Sequence, residues 1–145
     1  MREILFRGKG KDSNKWYEGY YMALSETTYC FTEDYAANPD NTKHYIVFDR
    51  MTDWGLPNQH WKVNIDPETL GQYTGLKDRN YMRIFEGDIV RLFQRYDKNL
   101  LVEYRNSGFT CTDLNHIHAE ISFYTPDLIE VIGNIHDNPE LIEGE

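Results

Sequence analysis

At 145 residues the chain fits one domain, long enough to bury roughly 68–70% of its unfolded surface without the help of a disulfide or a metal. Its 24 acidic and 15 basic side chains give a net charge of −9, which favours cationic partners and repels nucleic acid from most of the surface. Cys30 and Cys111 are isolated, so a disulfide scaffold is excluded and both read as reduced thiols, while no apolar run approaches the ~20 residues of a membrane helix.

The 11 Tyr, 7 Phe and 3 Trp fall in short segments bounded by Gly, Asn, Asp and Pro, a pattern that favours strands. Residues 3–7 and 15–24 predict a first hairpin, joined by a polar, glycine-rich loop at 8–14. Residues 27–32 and 43–49 follow as β-branched and aromatic strands, separated by a segment at 34–41 that ends in turn formers. The loop 52–58 leads into a strand at 60–65. Asp66-Pro67-Glu68 then combines a capping aspartate, a proline at the first helical position and an acid in the first turn. It predicts a one-turn helix that Gly71 would end. Residues 83–93 alternate with period two, and Glu86-Gly87-Asp88 predicts a bend or bulge at Gly87. Strands at 100–104, 109–112 and 129–135 complete the series, and Asn138-Pro139-Glu140 predicts a second short helix.

These elements predict a mainly β protein, with N-terminal β-hairpins at 1–65, a small barrel-like C-terminal half at 66–145 and one or two short helices. No linker rich in Ser or Pro separates the halves, so residues 1–145 are also read as a single domain. Arg2, Glu3 and Arg7 interrupt what would be an apolar N-terminus, so no signal peptide is expected and the location expected is cytoplasmic.

Three blocks in combination carry a family resemblance: Pro67-Glu68-Thr69 with Gly71-Gln72-Tyr73-Thr74-Gly75-Leu76, then Glu86-Gly87-Asp88-Ile89-Val90, then Ile129-Glu130-Val131-Ile132-Gly133-Asn134-Ile135-His136-Asp137. With Arg2 to Arg7 and Trp16-Tyr17-Glu18-Gly19-Tyr20, the chain resembles from end to end the YopX family of small phage and prophage proteins. The resemblance implies a bacterial host but names no reaction. It departs from the family at Asn80-Tyr81, where members usually carry Asn-Gly, and a tight turn there would force positive φ on a residue that tolerates it poorly.

Candidate chemistry is sparse. His116, His118 and Glu120 would share one face of an extended segment and offer a metal site, with His136 and Asp137 as distant ligands. The same pattern describes an exposed polar strand with Ile117 and Ala119 inward. That simpler reading is preferred, and no metal or other cofactor is expected. Cys111, Ser107 and Ser122 are nucleophile candidates beside the same histidines, but no Gly-x-Ser-x-Gly elbow surrounds them. Gly8-Lys9-Gly10-Lys11 lacks the spacing of a phosphate loop.

Residues 71–105 interleave seven basic side chains with aromatics, and Tyr73, Arg83, Arg91, Arg95 and Tyr96 would form a groove for single-stranded nucleic acid. Five acids in the same window reduce its net charge to +2, so a wall of core aromatics and solvated arginines is the preferred reading. Residues 106–145 carry eight carboxylates and no Lys or Arg. Contact between such unlike segments of two copies, anchored by Trp54, Trp61 and Tyr35, would give a homo-oligomer. The function expected is therefore a non-enzymatic, macromolecule-binding or self-assembling module of the host cytoplasm, with a host or phage protein as a further partner and no membrane. Two alternatives are a single-stranded nucleic-acid-binding small barrel, and a metal-dependent enzyme using His116 and His118.

Overall fold

The computed structural model describes residues 2–25, 31–37, 42–93, 98–113 and 117–143, with backbone alone at 34, 35, 117–119, 123 and 143. Contacts divide the chain into two compact units, Leu5–Leu70 and Met1–Ile4 with Gly71–Glu145. The protein is mainly β, as expected, with two antiparallel sheets and short helices.

In the first unit, β1 (Phe6–Gly10) and β2 (Trp16–Ser25) form the expected hairpin, with Phe6 opposite Gly19 and Lys9 opposite Trp16. Gly8 and Gly10 were expected in the loop but lie inside β1 and are buried. The helix α1 (Thr32–Ala36) replaces the end of the strand expected at 27–32, whose first four residues lie outside the described ones. A threonine followed by Glu33 and Asp34 suits a helix start, because acids near the N-terminus complement the helix dipole. β3 (Thr42–Arg50) pairs with β2 and with the long β4 (Gln59–Lys77), and β1 pairs with both β2 and β4. The four strands therefore close into a ring, with Tyr45, Ile46 and Ile65 buried.

The helix expected at Asp66 is absent, since residues 59–77 are continuous strand. Its capping chemistry is present without it. The Asp66 carboxylate accepts the Glu68 N–H at 3.1 Å, and the Thr69 hydroxyl donates to the Asp66 carbonyl at 2.6 Å. Such local bonds are as compatible with an irregular strand as with a helix, and a proline without an N–H is tolerated where a strand bends. Gly71 ends no helix either; a Cβ there would lie 2.3 Å from the Glu86 carbonyl oxygen, so glycine admits a close backbone approach.

In the second unit, the end of β4 pairs with β5 (Arg83–Phe85), and β6 (Asp88–Leu92), β7 (Asn99–Arg105), β8 (Gly108–Thr112), β9 (Ile117–Glu120) and β10 (Ile129–Asn134) form a sheet in the order β10-β6-β7-β8-β9. The expected bend at Gly87 is present: φ is 93°, the Gly87 N–H donates to Val102 O at 2.8 Å, and the buried Asp88 carboxylate accepts the Phe85 N–H at 2.8 Å. The helix α2 (Glu140–Glu143) follows Asn138-Pro139 as expected. Ile84, Val90, Leu92, Leu100, Val102, Cys111, Ile121 and Ile129 form the core, and each large aliphatic side chain among them contributes about 1.5–3 kcal/mol by leaving water.

Ring closure thus falls on the N-terminal strands and not where the barrel was expected. Among the described residues the C-terminal sheet has no pairing between β9 and β10. The outer edge of β10 is occupied instead by the loop after β4, through Arg79 N–H to Ile129 O at 2.9 Å and Val131 N–H to the Asp78 carboxylate at 3.0 Å. Asp78 is only 2% exposed. Its other oxygen accepts the N–H groups of Asn80 at 2.8 Å and Met82 at 2.9 Å. This cage holds Tyr81 at φ 63°, the strained conformation that the missing glycine would have relieved.

Asp78→Ala leaves three backbone donors without their acceptor and should cost about 3 kcal/mol in urea unfolding. Tyr81→Gly removes the left-handed penalty of an L-residue and, after the added chain entropy of glycine, should stabilise by about 0.5–1 kcal/mol. The β7–β8 connection is a two-residue turn with Asn106 at φ 52° and Ser107 at φ 66°. Ser107→Gly should raise stability there by about 0.5 kcal/mol in the same assay.

Candidate functional site

The end of the β3–β4 hairpin carries the exposed apolar cluster. Phe48 lies opposite Trp61, Asp49 opposite His60 and Arg50 opposite Gln59, after which residues 51–58 close the loop. Leu56 N–H bonds to Asp53 O at 3.1 Å and the Thr52 hydroxyl to Pro57 O at 3.3 Å, so the loop is folded on itself. Its apolar side chains nevertheless face water: Trp54 is fully exposed, and Met51, Leu56 and Trp61 are 78%, 59% and 41% exposed. Trp61 is positioned by Nε1–H to the Gln59 side-chain Oε1 at 3.0 Å and by the Arg50 guanidinium 4.9 Å from its ring centre. Beside them His60 and Asp49 form an exposed pair, Nδ1 to Oδ1 at 2.5 Å. Large apolar groups ringed by both signs of charge are the make-up of a protein-contact surface.

A second feature lies in the C-terminal unit, where the Asp78 loop borders an open depression of about 370 Å³ lined by Tyr73, Lys77, Arg79, Tyr81 and Asp127 among others. Tyr81 stands at it with 84% of its surface exposed. Arg79 lies over the Phe93 ring at 4.1 Å. Lys77, Arg79, Asp78 and Asp127 all border it, so both signs of charge are present there.

A family model described as YopX protein matches residues 5–143. The chain belongs to the YopX family. Two solved structures share its fold over nearly the whole length. Protein EF1440 from Enterococcus faecalis has a TM-score of 0.51 at 22% identity, covering 99% of this chain and 100% of its own. Protein yopX from Bacillus subtilis has a TM-score of 0.51 at 16% identity, covering 100% and 99%. No curated protein matches the sequence. Against the family pattern, the Asn80-Tyr81 departure is accommodated by keeping the left-handed turn residue and holding it with Asp78.

Of the residues expected to bind single strands, Tyr73, Arg83 and Arg91 are among the described residues. Tyr73 is 6% exposed and packs on Phe85 at 5.6 Å, which makes it core. Arg83 lies 5.8 Å from the Tyr73 ring and 3.5 Å from the Glu3 carboxylate. Arg91 is exposed on β6, between Asn99 and Glu130; Arg95 and Tyr96 lie outside the described residues. Of the metal candidates, His116 and the His118 side chain also lie outside them. Residues 117–120 are extended, as that reading required, and Glu120 is exposed. No cluster of three metal-ligating side chains occurs among the described residues.

Trp54 and Trp61 are exposed, as the expected anchors would be, whereas the Tyr35 side chain is not described. Met51 and Leu56 were missed. An apolar density of Met, Trp and Leu inside a turn segment was the available signal.

Cys111 is a poor nucleophile. It is fully buried in β8, opposite Val102 and Ala119, and burial pushes its thiol from 9.0 up to about 12. Ser107 is an exposed turn residue and Ser122 lies in a short 3-10 turn. With the thiol at about 12, only about one Cys111 in 10⁴ is thiolate at pH 8, so iodoacetamide should leave it unlabelled until the protein is unfolded, as read by peptide mass. Between pH 9.0 and about 12 the unfolded chain loses this proton and the folded chain keeps it, so stability should fall with rising pH across that window.

Proposed function

We propose that this YopX family protein is a non-enzymatic binding module of the bacterial host cytoplasm, carried by a phage or prophage, that self-associates and engages a further protein through the end of the β3–β4 hairpin. The observation that carries the reading is the full exposure of Trp54 beside Met51, Leu56 and Trp61. A solvated indole has a large apolar area and few rotatable bonds, so burying it against a partner yields much contact area at small entropic cost. Arg50 and Lys62 together with Asp49 and Asp53 give the hairpin both signs of charge, which permits a self-complementary contact about a two-fold axis. The net charge of −9 favours a basic surface on any other protein partner.

Light-scattering mass over a concentration series should show a reversible oligomer. Trp54→Glu should weaken its association by at least about 30-fold, the effect of a hot-spot residue, with circular dichroism unchanged because the side chain touches no core. A mass equal to one chain at every concentration, together with micromolar binding of a labelled single-stranded oligonucleotide, would replace this reading with nucleic-acid binding.

A further inference from the structure

The depression of about 370 Å³ beside the Asp78 turn is lined entirely by residues of the C-terminal unit. One wall is a bulge in β4. Tyr73 lies opposite Phe85 and Lys77 opposite Arg83, so residues 74–76 face Ile84 alone, and Gly75 absorbs the excess at φ 88°. The Thr74 hydroxyl fastens the bulge by donating to Ile84 O at 2.8 Å and accepting the Leu76 N–H at 3.2 Å. Bulges of this kind re-aim side chains out of the regular ladder. The Asp78 turn forms the next wall, and the 3-10 turn Pro126–Leu128 the last. The 3-10 turn is held by Leu128 N–H to Thr125 O at 3.0 Å and by Phe93 N–H to Leu128 O at 2.7 Å.

Of the four ionised groups at this depression, the Asp78 carboxylate is committed to three backbone N–H groups. Lys77 and Arg79 come from β4 and its turn, Asp127 from the 3-10 turn, and among the described residues no ion pair joins them. Arg79 rests on the Phe93 ring at 4.1 Å, a stacking that leaves its in-plane N–H donors available. Tyr73 is only 6% exposed, its ring held by Phe85 at 5.6 Å and by the Arg83 guanidinium at 5.8 Å. Its hydroxyl has no hydrogen-bond partner among the described residues. Buried phenols usually find such a partner, and here water or a ligand must supply it. Tyr81, Leu76 and Pro126 make the remaining lining apolar. The backbone of Tyr81 is clamped by Asp78 while its side chain is left uncovered, so a fixed aromatic face stands at the opening.

We infer that this depression is a binding site for a free aromatic α-amino acid. The ligand carboxylate meets Lys77 and Arg79, its ammonium meets Asp127, and its ring lies against Tyr81, Leu76 and Pro126. A ligand with a carboxylate alone would bring a like charge beside Asp127, and an amine alone would meet two cations, so the arrangement selects the zwitterion. A volume of about 370 Å³ stands at the lower end of ligand pockets, which suits a single amino acid. No lining residue belongs to the hairpin contact, so self-association and amino-acid binding can fail separately.

The test is a ¹⁵N–¹H NMR titration of the full chain with phenylalanine, 3-phenylpropionate and 2-phenylethylamine. Saturable shifts centred on residues 75–81 and 127 are expected with phenylalanine, and the two analogues, each lacking one charge, should bind at least about tenfold more weakly. Asp127→Asn should weaken phenylalanine binding and bring 3-phenylpropionate level with it. Tyr81→Gly should lose about fivefold in affinity while gaining stability, which separates lost binding from lost folding. Equal binding of the three ligands, the absence of any saturable shift, or phenylalanine binding that both variants leave unchanged would overturn the inference.

Discussion

The Asp78 carboxylate is the interaction on which the C-terminal unit depends. Its two oxygens accept N–H groups from Asn80, Met82 and Val131, so one buried side chain both closes the turn between β4 and β5 and ties that turn to β10. A carboxylate removed from water needs such donors, because a buried charge without them is among the most expensive features a fold can carry. The same bonds explain how Tyr81 is held in a conformation that L-residues avoid. They also engage the outer edge of β10, where the Asp78 carboxylate takes the Val131 N–H and the Arg79 N–H bonds to Ile129 O, so the first residues of that edge are not open to a further strand.

Core and surface are sharply separated in what they ask of aromatic residues. Tyr73 and Phe85 pack together inside the C-terminal unit, and Tyr17 stacks on Phe48 at 5.9 Å in the N-terminal one. Trp54 and Trp61 face water at the end of a hairpin whose loop is held by its own hydrogen bonds. Packing within the unit makes no use of the Trp54 side chain, so the free energy of covering its apolar surface is not spent in the fold.

The reactive-residue candidates are explained by burial. A cysteine near histidines in sequence suggests a nucleophile, but β8 buries Cys111 completely between β7 and β9, where the thiolate is strongly disfavoured. Sequence proximity says little about such groups, because strand pairing and not chain distance decides what surrounds them.

What the sequence determined by itself was the class of fold and most of its elements. Aromatic and β-branched runs bounded by turn formers located β3, β7, β8 and β10, period-two alternation located β6, and the turn chemistry of Gly87 and of Asn138-Pro139 was correctly placed, since these signals depend on the residue and its immediate neighbours. The Asp66 segment shows the limit of such signals. A capping carboxylate and a proline serve a bent strand as readily as a helix, and only the pairing of β4 with β1 and β3 decided between them. Ring closure in the N-terminal strands, the loop bonded along the edge of β10 and the burial of Tyr73 are likewise tertiary. Each joins residues far apart in the chain, and the choice among such pairings rests on burial and hydrogen-bond satisfaction over a whole unit, which no local pattern encodes.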